Sequence, residues 1–141
     1  MASWWPWIRQ SDANFMRWAL LTEEARTQYV NWHQHATEYI AMIRMASARQ
    51  QRNTNLAKLI QDVRRSPDCD AIWVSGSAMA GSRDGAHHRM VIPALGPDVV
   101  EVVSHVLEPG ALPGWQLTIV SWVPDDGPDA RPDSRPSSPP K

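Results

Sequence analysis

Histidine is the residue type in this sequence best suited to hold a metal ion, and the chain has five histidines. Two histidines that bind one metal from a helix need a spacing of three or four residues, whereas His33 and His35 are two apart and point to different sides. His87 and His88 are adjacent in a predicted strand and face opposite ways. We therefore predict that these histidines do not bind a metal ion. We expect His105 to be a core or pocket-edge residue.

Arg17 is the polar residue of greatest interest for ligand binding, because it lies in a segment that is otherwise apolar. A structural salt bridge to Glu23 or Glu24 is the favoured interpretation. Recognition of a ligand carboxylate is the alternative, since a guanidinium–carboxylate contact is strong and directional. Cys69, the single cysteine, is predicted to be a small buried residue.

Residue arrangements typical of enzymes do not stand out in the sequence. We find no serine–histidine–aspartate order and no nucleophile elbow. The stretches GSAMAG and GSRDG lack the lysine and the strand-to-helix context of a phosphate-binding loop. The sequence therefore predicts a protein that is not an enzyme and that carries no cofactor.

Composition favours one soluble domain. The chain has 141 residues, 43% of them hydrophobic, and a formal net charge of −1. A charge so close to neutral argues against a protein that works mainly by covering phosphates. The sequence shows neither a signal peptide nor an apolar run long enough to span a membrane, so we expect a cytoplasmic protein.

Five helices are predicted in the first half of the chain. The central one, from about Asn31 to Arg49, carries an apolar stripe of the width expected for a helix packed on a core. That stripe consists of Trp32, Ala36, Tyr39, Ile40, Ile43 and Ala46. The other helices are expected at about 12–21, 22–30, 53–64 and 66–74, with N-caps at Asp12, Thr22 and Ser66, as at Asn31 for the central helix.

Three β-rich runs follow a loop that begins at Gly76. They span about His87 to Ala94, Val99 to Leu107 and Gln116 to Val123, and the short connections between them suit an antiparallel sheet. The second and third runs are apolar on both faces, so both faces need cover. We expect the helices to cover one face, which leaves the other for a ligand, a partner or the N-terminus.

The two ends of the chain differ from the domain between them, which we place at residues 12–124. Residues 1–11 contain the tryptophan-rich sequence WWPWI, which is expected to cover the core as an extended segment or edge strand. A dimer contact or a membrane-interface anchor are the alternatives. Residues 125–141 contain too little apolar surface to fold and are expected to be disordered.

Four blocks of sequence resemble the MmyB-like family of transcription-regulator ligand-binding domains. NFMRWALLTEEARTQYVNW is similar to the family's opening, and SPDCDAIW to its Ser-Pro-x-Phe-x-x-Leu-Trp segment. IPALG is similar to its His-Pro-x-x-Gly hairpin, and GWQLTIVSWVPDDGPDA to its closing strand. The resemblance implies a PAS-like α+β domain of actinobacterial and related XRE-type regulators, with a fatty-acid-like or other apolar ligand.

Three departures from the family pattern change what the resemblance implies. The matching region begins only about a dozen residues into the chain, so no helix-turn-helix and no direct DNA binding are expected. Only MASWWPWIRQSDA stands in place of the early strands, so an incomplete PAS sheet is expected. Cys69 replaces the usual aromatic residue and Ile92 the usual histidine, and the smaller residue at 69 either enlarges the pocket or is repacked.

We therefore predict an α+β sensing domain with a pocket between the central helix and a C-terminal three-stranded antiparallel sheet. Arg17 would be its polar anchor, and its walls would be formed by Trp32, Tyr39, Ile43, Trp73, Val103 and Trp122. The domain would act as a homodimer or beside a separate DNA-binding regulator. The alternative is a protein-interaction or dimerisation module, in which the WWPWI segment or an open sheet edge pairs with a partner.

Overall fold

The computed structural model describes residues 14–76, 85–107, 110–111 and 117–124. Predictions for the WWPWI segment, the Asp12 cap, the loop at 77–84 and the tail at 125–141 lie outside these residues. Within them, five helices precede three strands, which confirms the predicted α+β order. The helices are α1 (Phe15–Leu21), α2 (Glu23–Gln28), α3 (Trp32–Arg49), α4 (Thr54–Arg65) and α5 (Pro67–Ser75).

Short polar side chains set the starts of the helices. Asn14 caps α1, where its Oδ1 accepts a hydrogen bond from the Arg17 backbone N–H at 3.0 Å. The predicted Thr22 cap is confirmed, since its hydroxyl accepts from the backbone N–H of Ala25. Asn31 precedes α3 as predicted, but its side chain makes no cap hydrogen bond and donates to Gln34 instead.

The end of α2 joins the helices to the sheet. This helix ends at Gln28 rather than near Val30, and Tyr29 adopts an extended conformation. Tyr29 forms an isolated bridge with Met90, and the Val30 N–H donates to the Arg89 carbonyl at 3.0 Å. Two of the three residues between α2 and α3, Tyr29 and Val30, therefore make strand-like contacts with the sheet.

The sheet is an antiparallel meander in the order β1–β2–β3. Its strands are β1 (Ala86–Val91), β2 (Val99–Leu107) and β3 (Leu117–Pro124). The first strand is shorter than predicted, because a turn follows in which the Leu95 N–H donates to the Ile92 carbonyl at 2.8 Å. Pro93 lies in that turn and has no N–H to continue the ladder.

The strand register assigns each side chain to one of two faces. His88, Val102 and Trp122 are aligned across the three strands, as are His87, Val103 and Ser121 on the opposite side. The first set lies on the helix-facing side, because His88 and Val102 are buried. We call the other side the outer face; its described residues include His87, Glu101, Val103, His105, Leu107 and Ile119.

The core lies between the helical layer and the helix-facing side of β1 and β2. Its most deeply buried members are Ala19, Leu20, Ala25, Ala36, Tyr39, Ile40, Val63, Cys69 and Ile92. Among the described residues, no helix has the length and apolar character needed to cross a bilayer.

Candidate functional site

Four aromatic and imidazole side chains meet where α3 faces β1. Tyr29 comes from the α2–α3 connection, His35 and Tyr39 from α3, and His88 from β1. All four are buried. We call this group the buried polar cluster, because it places two hydroxyls and two imidazoles inside a core that is otherwise largely apolar.

Contacts within the buried polar cluster are close. The hydroxyl oxygens of Tyr29 and Tyr39 are 2.8 Å apart, within hydrogen-bonding distance. The Tyr29 and His35 rings lie 4.7 Å apart, and the His35 and His88 rings pack edge to face at 4.6 Å. The Nδ1 atoms of the two histidines are 3.1 Å apart. When they share a hydrogen bond, one imidazole must donate and the other accept.

Further aromatic rings surround the cluster. The Phe15 ring meets Tyr39 edge to face at 5.5 Å, and the Trp18 ring lies 6.1 Å from that of Tyr29. Edge-to-face and tilted pairs of this kind are favoured by the charge distribution of aromatic rings. Aromatic and imidazole side chains thus form one connected group in the described part of the interior.

Arg17, the predicted polar anchor, pairs with Asp62 of α4. The structure therefore supplies a structural salt bridge, but the predicted partners Glu23 and Glu24 were wrong. Glu24 instead accepts hydrogen bonds from Trp18 Nε1 at 3.1 Å and Gln28 Nε2 at 3.2 Å.

The Arg17–Asp62 pair should make the stability of the domain depend on pH. The hydrogen bond from Arg17, followed by the charge of its guanidinium, holds the pKa of Asp62 below its ordinary value. The unfolded chain therefore binds a proton more readily. The pair's contribution is present above the unfolded pKa of about 4 and is lost as pH falls through the lower folded pKa.

We expect Asp62→Asn to lower the urea midpoint at pH 7, and the difference from the natural chain to shrink below about pH 4. Arg17→Gln should reproduce this pH dependence, and combining both substitutions should add little further loss. Urea unfolding of the three variants between pH 3 and 7 checks this. A constant difference at every pH would contradict it.

Two predicted wall residues are held within the helical layer. Trp32 donates from Nε1 to the Ala19 carbonyl at 2.7 Å, and the Arg26 guanidinium lies over its ring at 3.9 Å. Trp73 on α5 lies under the guanidinium groups of Arg44 and Arg64, each 5.8 Å from its ring centroid. Both side chains are half-buried.

The other predicted wall residues do not all face one space. Tyr39 and Ile43 are buried in the core, and Trp122 lies on the helix-facing side of β3 with 41% of its surface exposed. Val103 lies on the outer face, so the prediction that it faces α3 was wrong. Because both sides of β2 are apolar, the sequence pattern did not distinguish them.

The outer face carries exposed apolar and polar side chains. Leu107 and Ile119 are exposed there. His87 pairs with Glu101, and the Ser121 hydroxyl lies 3.4 Å from His105 Nε2. His105 is exposed, so a place in the core, one of its two predicted locations, was wrong.

Cys69 is a small buried residue, as predicted. Its thiol donates to the Leu20 carbonyl at a sulfur–oxygen distance of 3.4 Å, which links α5 to α1. Burial raises the pKa of the thiol and so disfavours the reactive thiolate. This cysteine thus has the character of a packing residue.

Sequence reasoning missed the pairing of His35 with His88. It compared histidines only within one helix or one strand, whereas this pair joins two elements 53 residues apart. A usable signal was present in His35 and Glu38, which are three residues apart and therefore share one side of α3.

Comparison with known proteins identifies the family. The model of the MmyB-like transcription regulator ligand binding domain matches residues 1–132. No curated protein and no solved structure shows a significant match. Because the family model covers nearly the whole of the 141 residues, the chain belongs to the family of MmyB-like transcription regulator ligand-binding domains.

Proposed function

We propose that this chain senses an apolar, fatty-acid-like molecule in transcription regulation without contacting DNA itself. The observation that carries the proposal is its membership of a family of regulator ligand-binding domains. The net charge of −1 supports the proposal that the chain does not contact DNA itself, because DNA binding relies on an excess of positive charge. A separate DNA-binding regulator or a second copy of the chain would then transmit the signal.

The helix-facing side of β3 is the part of the sheet that best suits an apolar ligand. Val100 and Val102 of β2 are buried, whereas Val120 of β3 is half-buried and Trp122 is exposed. The ligand chain would lie against Val120 and Trp122, with Tyr39 and Ile43 of the core behind it. Arg17 is the weaker choice of anchor, because Asp62 already neutralises its charge.

Native mass spectrometry and lipid extraction of the purified chain test for a bound apolar molecule. Added saturated fatty acids should also raise the midpoint of thermal unfolding, because a ligand that binds only the folded state stabilises it. A protein without any bound lipid and without a thermal shift from any fatty acid would overturn the proposal.

Two residues of β3 give a matched test of the ligand's position. Trp122 and Ile119 are similarly exposed, at 41% and 47%, but lie on opposite faces of the sheet. Trp122→Ala should weaken fatty-acid binding about ten- to hundredfold, the equivalent of one large apolar contact. Ile119→Ala should leave binding unchanged. The reverse result would place the ligand on the outer face.

A protein-interaction module is the second candidate, and the exposed Leu107 and Ile119 of the outer face favour it. Size-exclusion chromatography with light scattering, with and without residues 1–10, separates the two functions. A dimer that is lost on deletion, in a chain that binds no lipid, would favour interaction over sensing.

A further inference from the structure

His35, Glu38 and His88 place three metal-binding side chains together at the junction of α3 and β1. One potential ligand atom from each residue lies within 4.8 Å of the other two. Both histidines are buried and Glu38 is half-buried. Two of the three side chains come from one turn of α3, and the third comes from a different element.

The distance between the imidazoles suits a shared metal ion. Metal–nitrogen bonds of about 2.0–2.1 Å at a tetrahedral angle separate two nitrogens by roughly 3.3 Å. The Nδ1 atoms of His35 and His88 are 3.1 Å apart, so a small separation of the rings admits the ion. Glu38, whose side chain has three rotatable bonds, can bring its carboxylate oxygen closer.

We propose that His35, Glu38 and His88 bind one divalent first-row transition-metal ion, for which Zn²⁺ is the representative probe. Two imidazoles and one carboxylate form a ligand set that binds Zn²⁺ and other divalent ions of the first transition row. Three protein ligands leave one coordination position of a tetrahedral ion for water or another ligand. Both rings would carry their proton on Nε2 in the metal-bound form, so that each Nδ1 lone pair faces the ion. The Glu38 carboxylate would offset part of the charge.

This site would connect the helical layer to the sheet. The α2–α3 connection already contacts β1 through the Val30–Arg89 hydrogen bond. A metal held by α3 and β1 would add a second link, through two members of the buried polar cluster. Metal binding here requires no fatty acid, because the three ligands are all supplied by this chain.

The test uses the full chain without a polyhistidine tag, stripped of metal with a chelator. Calorimetric titration with Zn²⁺ should show one site per chain. Titration with Co²⁺ should produce the intense visible absorption of a four-coordinate cobalt site. The thermal unfolding midpoint should rise by roughly 5–10 °C at a Zn²⁺ concentration about a hundredfold above the dissociation constant.

Neighbouring histidines provide matched controls. His35→Gln and His88→Gln should weaken Zn²⁺ binding more than about a hundredfold, since even the loss of an outer hydrogen-bonding partner of a metal ligand costs 10–100-fold. His33→Gln and His87→Gln, which change exposed histidines beside them, should leave the affinity unchanged.

Glu38→Gln keeps the proposal testable if a buried histidine substitution prevents folding. Its half-buried side chain can be replaced with little effect on packing, and circular dichroism verifies the fold. The cobalt absorption should be lost or shifted in this variant. The proposal would be overturned if Glu38→Gln kept the Zn²⁺ affinity and the cobalt absorption of the unsubstituted chain. It would also be overturned if the His33 and His87 variants lost as much Zn²⁺ affinity as the His35 and His88 variants.

Discussion

Replacing Val102 with aspartate should strongly destabilise the domain. Val102 is 3% exposed on the helix-facing side of the central strand, and its register partners are His88 and Trp122. A carboxylate there would lose its water, and neither register partner carries a fixed positive charge that would compensate for this loss. We expect a loss of at least about 4 kcal/mol, against a total stability of about 5–15 kcal/mol for an ordinary domain.

Val103→Asp is the matched control, because it changes the next residue of the same strand on the outer face. Its half-buried side chain has access to water, so the cost should be about 1 kcal/mol, from the low preference of aspartate for strands. Far-UV circular dichroism and urea unfolding compare the two variants. Equal destabilisation would contradict the assignment of the two faces.

This comparison also bears on ligand binding. Val103 was expected to line a pocket beside the central helix, and the register places it on the opposite side of the sheet. Because Val103→Asp should still fold, its fatty-acid binding can be measured directly. We expect unchanged binding if the ligand lies on the helix-facing side of β3.

Local sequence signals predicted most of the elements. Thr22 and the Ser66–Pro67 pair marked the starts of helices, and β2 spans the predicted Val99 to Leu107. Such signals act over a few residues and depend on capping, proline geometry and side-chain shape. They were less decisive at the start of α1, where Asp12 and Asn14 are both capping residue types two positions apart.

Long-range pairings could not be predicted from the sequence. Arg17 and Asp62 are 45 residues apart, and nearer carboxylates at Glu23 and Glu24 satisfied the same electrostatic rule. His35 and His88 meet only because the fold brings α3 beside β1. Alternation along a strand assigns residues to two sets, but when both sets are apolar it does not show which one meets the helices.

The family could be recognised from the sequence because the resemblance depends on the order of several sequence blocks along the chain. Each block tolerates substitutions. Two departures within the blocks lie in the core. Ile92, which stands where the family has a histidine, is fully buried, and Cys69 is fully buried on α5. Order along the chain therefore indicated the family before any three-dimensional contact was known.

Tyr39→Ala should destabilise the domain by about 3–5 kcal/mol, as expected when a large buried aromatic side chain is removed. Tyr39 is 1% exposed, its ring packs edge to face on Phe15, and its hydroxyl lies 2.8 Å from that of Tyr29. Tyr39→Phe keeps the ring and loses only the hydroxyl contact, so it should cost about 1 kcal/mol. Urea unfolding of both variants gives the two values.

The size of the Tyr39→Ala effect separates a filled interior from a hollow one. In a filled interior the truncation leaves a cavity, and Phe15 and Tyr29 each lose one of their ring neighbours, which adds to the cost. If the ring instead bordered a preformed ligand cavity, its truncation would enlarge that cavity and lower the stability by less than about 2 kcal/mol. The larger cavity would then change the length of fatty acid that binds best. Tyr39→Phe keeps the aromatic ring in place whether the interior is filled or hollow, so it should leave fatty-acid selectivity unchanged. A changed selectivity in this variant would show that the Tyr39 hydroxyl contacts the ligand.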